Sequence, residues 1–160
     1  MITINVDGGV FNYRSCVFIT NRKEDLVLLQ DIGDYLVLPG GRVEMLESAE
    51  DASKRVLKEE LGLEVESLTL KIINKNFFKA HNKSYHEIGF YYKYVLDTGS
   101  NLFLNKDSFE GLEGKDYIFK WYNINSLDNF RIEPLFLKDA IKDKFNYDSI
   151  KHIVTNDLGK

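Results

Sequence analysis

The stretch Gly41-Arg42-Val43-Glu44-Met45-Leu46-Glu47-Ser48-Ala49-Glu50-Asp51-Ala52-Ser53-Lys54-Arg55-Val56-Leu57-Lys58-Glu59-Glu60-Leu61-Gly62-Leu63 decides how the whole chain is read. Its second half carries helix signals. Ser48 is an N-cap residue, Glu50 and Asp51 stand in the first turn, where a helix dipole favours acids, and Gly62 is placed to end the helix. On an ideal helix at ~100° per residue, with Ala49 at zero, Ala52 falls at about −60°, Val56 at about −20°, Leu57 at about 80° and Leu61 at about 120°. That arc is apolar and predicts a buried face. Glu60 falls at about 20°, inside the arc, and Glu59 at about −80°, on its edge. A carboxylate aimed into an apolar face is costly unless it is paired or binds a cation. Arg55 can pair with Glu59 at i,i+4 but lies on the far side of Glu59 from Glu60. Glu60 therefore takes its partner from elsewhere. One reading is a neighbouring Lys or Arg, or an arc edge open to water. The other is a hard cation held by Glu60, Glu59 and a backbone carbonyl, and oxygen ligands of this kind suit Mg²⁺ or Mn²⁺.

The first half opens on Leu38-Pro39-Gly40-Gly41-Arg42 after a strand-like run. Two glycines permit positive φ and close approach of the backbone to a ligand, and they equally make a simple turn. Spacing decides between these. Gly41 is followed after five residues by Glu47, after seven more by Arg55, and then by Leu57, Glu59, Glu60, Gly62 and Leu63.

This pattern resembles the signature of the Nudix hydrolases: Gly, five residues, Glu, seven residues, then Arg-Glu-U-x-Glu-Glu-x-Gly-U, with U aliphatic. Eight of its nine specified positions match over residues 41–63. The wider layout is also similar, with strands before the box, an aromatic strand after it, Trp121 late in a strand and a closing helix, so the resemblance covers most of residues 1–145. It implies an α/β (α+β) fold, an α/β/α sandwich around a central mixed sheet. It also implies Mg²⁺-dependent (or Mn²⁺-dependent) hydrolysis of a nucleoside diphosphate linked to another moiety. By the same resemblance Glu59, Glu60 and the Gly40 carbonyl are metal ligands, with Gly41 allowing the close approach. Glu47 and Arg55 pair to hold the loop on the helix, which Gly62 closes. Divalent metal suits this chemistry because it neutralises phosphate charge and activates water. Family members often form homodimers, but no interface is legible in the sequence.

One position departs from the signature. Val56 stands where the family has a glutamate that usually binds metal. The helix angles put Val56 between Glu59 and Glu60, so the site is one carboxylate short. Three outcomes are open: an active enzyme with a base from elsewhere, an impaired protein that binds a nucleotide as a sensor or regulatory module, or a structural protein of the same shape. The family often draws its base from a late loop, and Glu110 and Glu113 are the candidates here, each also readable as a solvated loop residue.

Outward from the box, residues 2–6, 14–20, 26–30, 35–38, 65–74, 77–79, 85–96 and 117–122 read as strands. Residues 14–20 and 26–30 read as a hairpin, and residues 98–114 as a loop-like stretch. Pro134 opens a final helix over residues 135–145, and residues 1–150 form one domain ahead of a loose tail at 151–160. Ile88, Phe90, Tyr92 and Tyr94 share one strand face, for core packing or for stacking on a base. Arg42, His86 and Tyr92 are the candidates for substrate contact.

The chain has 160 residues and a formal net charge of −4, with only two prolines and one cysteine. That excludes an internal disulfide, a thiolate zinc cluster and a proline-rich linker. Cys16, in an apolar run, reads as a small core residue. No segment reads as a signal peptide or a membrane span, which predicts a cytoplasmic protein. Residues 44–60 carry six acids against three bases, so the negative charge is mostly local. That balance disfavours nucleic acid as a partner and suits a small-molecule nucleotide whose pyrophosphate comes with a cation.

Overall fold

The structure is a computed structural model that describes residues 1–104 and 107–159. Its strands are β1 (Thr3–Val6), β2 (Gly9–Thr20), β3 (Leu26–Asp31), β4 (Leu36–Val37), β5 (Gly40–Arg42), β6 (Thr69–Ala80), β7 (Lys83–Val95), β8 (Phe109–Gly111), β9 (Gly114–Asn123) and β10 (Lys151–Asn156). The helices are α1 (Ala49–Leu61) and α2 (Leu137–Lys142), with short 3-10 turns at Asn101–Leu104 and Ile124–Ser126. One sheet runs β10-β6-β7-β2-β3-β9-β8. It is mixed: β2 pairs with β7 and β10 with β6 in parallel, whereas β6–β7 and β3–β9 are antiparallel.

The long strand β2 positions the site. One edge of it pairs with β7 along its whole length. The other edge takes three partners in turn: β1 at the start, Gly40–Arg42 in the middle and β3 at Thr20. The glycine pair thus lies inside the sheet, directly before α1. Alternation along β2 divides its side chains between two cores. Val17 and Ile19 join Ala49, Ala52, Leu57 and Leu61 of α1 on one face. Cys16 and Phe18 join Leu137, Ala140 and Ile141 of α2 on the other. The result is the expected α/β/α sandwich.

Three sequence expectations change. The tail at 151–160 is a strand through Asn156, because β6 offers it an edge. Asn74 donates to the Ile153 carbonyl at 3.2 Å, and Thr155 Oγ1 to Asn76 Oδ1 at 2.7 Å. The final helix is shorter than expected. Lys144 and Phe145 take positive φ (59° and 51°), which swings the Phe145 ring back onto Phe18, 4.8 Å between centroids. The loop-like stretch at 98–114 contains β8 and a 3-10 turn; its residues 105–106 lie outside the described residues, as does Lys160. No helix among the described residues is long and apolar enough to cross a membrane.

Candidate active site

Helix α1 forms where local signals place it. The Ser48 side chain accepts from the Asp51 amide, and Gly62 ends the helix in the left-handed conformation at φ 66°. The predicted arc is the buried one: Ala49, Ala52, Val56, Leu57, Glu60 and Leu61 are all covered. Against the sheet, Ser15 Oγ donates to the Ala49 carbonyl at 2.6 Å and is also in contact with Ser53 Oγ.

The loop before α1 is clamped by Arg55. Its Nε and Nη2 donate to the two Glu47 carboxylate oxygens at 2.8 and 3.1 Å, and Nη2 also donates to the Arg42 carbonyl at 3.1 Å. Glu47 in turn accepts from the Glu44 amide at 2.9 Å. The Arg55 guanidinium holds the Glu47 carboxyl below its ordinary range. Truncating Glu47→Ala is expected to cost about 1–3 kcal/mol, because a half-buried bidentate pair loses one partner. In urea unfolding, the double variant with Arg55→Ala should cost little more than either single change.

The two glycines are held by contact. A Cβ on Gly40 would lie 2.5 Å from the Ser15 carbonyl oxygen and 2.7 Å from Cys16 Sγ. A Cβ on Gly41 would lie 2.9 Å from Val56 Cγ2, so Gly41 sits directly over Val56. Glu60 is one turn further along the same helix face.

Glu60 is only 8% exposed, and its Oε2 is buried with no hydrogen-bond partner. Burial, reinforced by the charge of Glu113, pushes its carboxyl up to about 7; Arg14 pulls the other way. The partner that α1 lacks is thus supplied only at a distance, since Arg14 closes no salt bridge with it among the described residues. Glu59 differs. Its side chain is 47% exposed and meets Arg55 Nη1 at 3.4 Å.

The two late-loop candidates separate. Leu112 N donates to the Glu60 carbonyl at 2.7 Å, which docks the β8–β9 turn on the end of α1. Glu113, in that turn, acts on Glu60 and on Tyr117, whose phenol is raised by burial and by both carboxylates. Glu110 follows Phe109, which packs into the α1 core, so alternation turns Glu110 to the other face.

On that other face a cleft of about 370 Å³ opens, lined by Arg14, Cys16, Leu38, Asn76, Glu87 and Tyr91 among others. It adjoins the glycine pair through Cys16, whose sulfur faces Gly40. Burial works against the charge of Arg14, but Cys16 and Glu87 raise its pKa nonetheless. Arg42 belongs to β5 and pairs with Arg14 in register, and its Nε is buried without a partner. His86 points away from the cleft, between the rings of Phe11 and Phe77. Tyr92 lies in the α1 core, and burial pushes its phenol up to about 12. Tyr91, its neighbour, is the one that faces the cleft. Arg14, Asn76 and Glu87 stand outside the motif and outside the candidates that the sequence offers. Period-two alternation from Cys16 would have found Arg14, and alternation from Tyr92 would have found Glu87 and Tyr91.

A glycine turn inside a mixed sheet thus leads into a helix that buries one carboxylate, with a cleft adjoining the turn. The NUDIX domain family model matches residues 11–143, and the chain belongs to that family. Solved structures agree on the fold. A MutT protein from Bacillus halodurans superposes with a TM-score of 0.60 at 19% identity, covering 88% of this chain and 89% of that one. A MutT NUDIX hydrolase from Burkholderia pseudomallei gives 0.61 at 21% identity, over 82% and 96%. An ADP-ribose pyrophosphatase from Streptococcus suis gives 0.56 at 13% identity, over 89% and 98%.

Proposed function

We propose that this protein hydrolyses the pyrophosphate bond of a nucleoside diphosphate linked to another moiety, using Mg²⁺ or Mn²⁺. The observation that carries the reading is the buried Glu60 carboxylate oxygen with no partner, one helical turn beyond the residue under Gly41. An ionised oxygen in that position calls for a cation. Glu60 and the Gly40 carbonyl would hold the metal, with Glu59 reaching in from the edge once released from Arg55. The metal, when bound, would neutralise phosphate charge and lower the pKa of water. Arg42 would meet phosphate oxygens from the β2–β5 side. Glu113 is the better-placed base of the two late-loop acids, because its charge already acts on Glu60.

A second reading, nucleotide binding with little turnover, draws support from Val56. Among the described residues no three His, Cys, Asp or Glu side chains gather into a ready-made cation site. A phosphate-release screen over nucleoside triphosphates, dinucleotides and nucleotide sugars with Mg²⁺ separates the two. Metal-dependent release supports the enzyme; a nucleotide-induced thermal shift without release supports the sensor.

Val56→Glu tests the missing carboxylate. Val56 is 5% exposed, so the new charge is expected to lower metal-free stability by about 1–3 kcal/mol. It should raise Mg²⁺ affinity or Mg²⁺-dependent turnover by about tenfold. A folded variant with no gain in either would count against a metal site on this face of α1.

A further inference from the structure

The face of the sheet toward α2 carries a polar row where a core would ordinarily begin. In register across four strands stand Asn12 of β2, Glu87 of β7, Asn76 of β6 and Thr155 of β10. Asn12, Glu87 and Asn76 are 2%, 6% and 5% exposed. Buried polar side chains of this kind are costly unless something uses them. The row is only partly satisfied from within. Glu87 Oε2 accepts from Asn12 Nδ2 at a long 3.5 Å, while Asn12 Oδ1 is buried with no partner. Asn76 Oδ1 accepts from Thr155, which leaves the Asn76 amide N–H groups as donors. Two residues along β2, Arg14 adds further donors and acts electrostatically on Glu87 without closing a salt bridge among the described residues.

Arg14, Glu87 and Asn76 therefore present donor, acceptor and donor to the cleft that they line. Asn76 stands one strand spacing, about 4.8 Å, from Glu87, and Arg14 stands diagonally across on β2, about 7–8 Å away, within reach of its long side chain. Two aromatic rings, Phe78 and Tyr35, also line the cleft. Phe78 stacks on Tyr85 at 4.9 Å, and Tyr35 carries the Arg131 guanidinium 5.2 Å above its ring. Planar rings stack favourably on such faces.

We infer that Glu87 is a specificity-determining residue: with Arg14 and Asn76 it selects nucleotides whose base presents a hydrogen-bond donor between two acceptors. This rests on the reading of the protein as one that takes nucleotides. Uracil offers that edge as carbonyl, N–H, carbonyl, and adenine offers it as ring nitrogen, amino group, ring nitrogen. Cytosine puts a bare ring nitrogen in the middle, between a carbonyl and an amino group, and the unsubstituted purine base has no donor there. A bare ring nitrogen set against the Glu87 carboxylate is repelled, and the carboxylate is left buried and unpaired.

The test is equilibrium binding of two matched pairs, UDP against CDP and ADP against purine riboside diphosphate, with inorganic pyrophosphate as the base-free control. At least one pair should show a preference of about tenfold or more for the donor-bearing base. Glu87→Gln should bring that pair within about threefold while pyrophosphate affinity stays unchanged. If Glu87→Gln melts early, Asn76→Ala reads the same ratio, because it removes the flanking donor. Equal affinities within both pairs would overturn the inference while leaving nucleotide binding intact. So would a preference that survives both variants. Binding of pyrophosphate alone, or of nothing, would overturn the nucleotide reading as well.

Discussion

Glu60→Gln is expected to abolish metal-dependent hydrolysis and, in the metal-free protein, to raise stability at neutral pH. The two effects have one cause. Glu60 is a buried carboxylate with an unpartnered oxygen, held up to about 7 by burial and by Glu113. An ordinary glutamate titrates near 4.5. Between those values the folded state holds the proton and the unfolded state does not, so wild-type stability falls as pH rises through that window and stays low above it. Glutamine keeps the shape without the charge. With EDTA present the two proteins should be equally stable near pH 4. The variant should be more stable at pH 8 by about 1–2 kcal/mol, once solvent screening is allowed for. Urea midpoints across pH 4–8 read this directly. A Glu60 tied firmly to Arg14 would give the opposite sign, because the substitution would strand a buried cation. Loss of the only fully inward carboxylate among Glu59 and Glu60 should lower Mg²⁺-dependent phosphate release by at least about a hundredfold. Unchanged release would remove Glu60 from the ligand set.

Gly40→Ala should be the most crowded of the glycine-to-alanine changes among the described residues. The added carbon would lie 2.5 Å from the Ser15 carbonyl oxygen, 2.7 Å from Cys16 Sγ and 2.9 Å from Cys16 Cα. Two of these are backbone atoms of β2, so β5 must move off the strand that it pairs with. Overpacking against backbone is expected to cost about 2–3 kcal/mol, lowering the melting temperature by about 5–10 °C in a chain of this size. Hydrolysis should fall further than stability does, because the Gly40 carbonyl moves with the strand. Gly41→Ala is the control. Its methyl meets one side-chain atom, Val56 Cγ2 at 2.9 Å, so trimming Val56→Ala alongside it should restore most of the loss. A Gly40→Ala protein as stable as wild type would contradict the packing of the glycine turn on β2.

The contrast between these sites shows what a sequence makes legible. Helix α1 was readable to within a residue because its determinants are local: a cap, a stripe and a terminal glycine. The inward aim of Glu60 followed from helix periodicity alone, and the Arg55–Glu47 clamp from the spacing of the family signature. Other features depend on partners far along the chain. Residues 151–156 read as a tail because nothing in them announces the edge of β6 that they complete. Local signals overstate the final helix because its end is set by Phe145 turning back onto Phe18, a contact that no local propensity encodes. The cleft draws Arg14, Asn76 and Glu87 from three strands, and only their register brings them into one band. His86 and Tyr92 have the chemistry for substrate contact, yet strand alternation turns both away from that band and turns Glu87 and Tyr91 into it. Glu113 and Glu110 were equivalent in sequence; docking of Leu112 on the Glu60 carbonyl distinguishes them.

The Glu60 end of α1, together with the glycine turn, is expected to hold a divalent cation. A titration of Mn²⁺ into the metal-free protein, followed by the electron paramagnetic resonance of the unbound ion, tests it most directly. The predicted result is Mn²⁺ bound by the wild type and displaced by Mg²⁺, with affinity lowered at least tenfold in Glu60→Gln and raised in Val56→Glu. Equal Mn²⁺ affinity in all three folded proteins would rule out a cation site at Glu60.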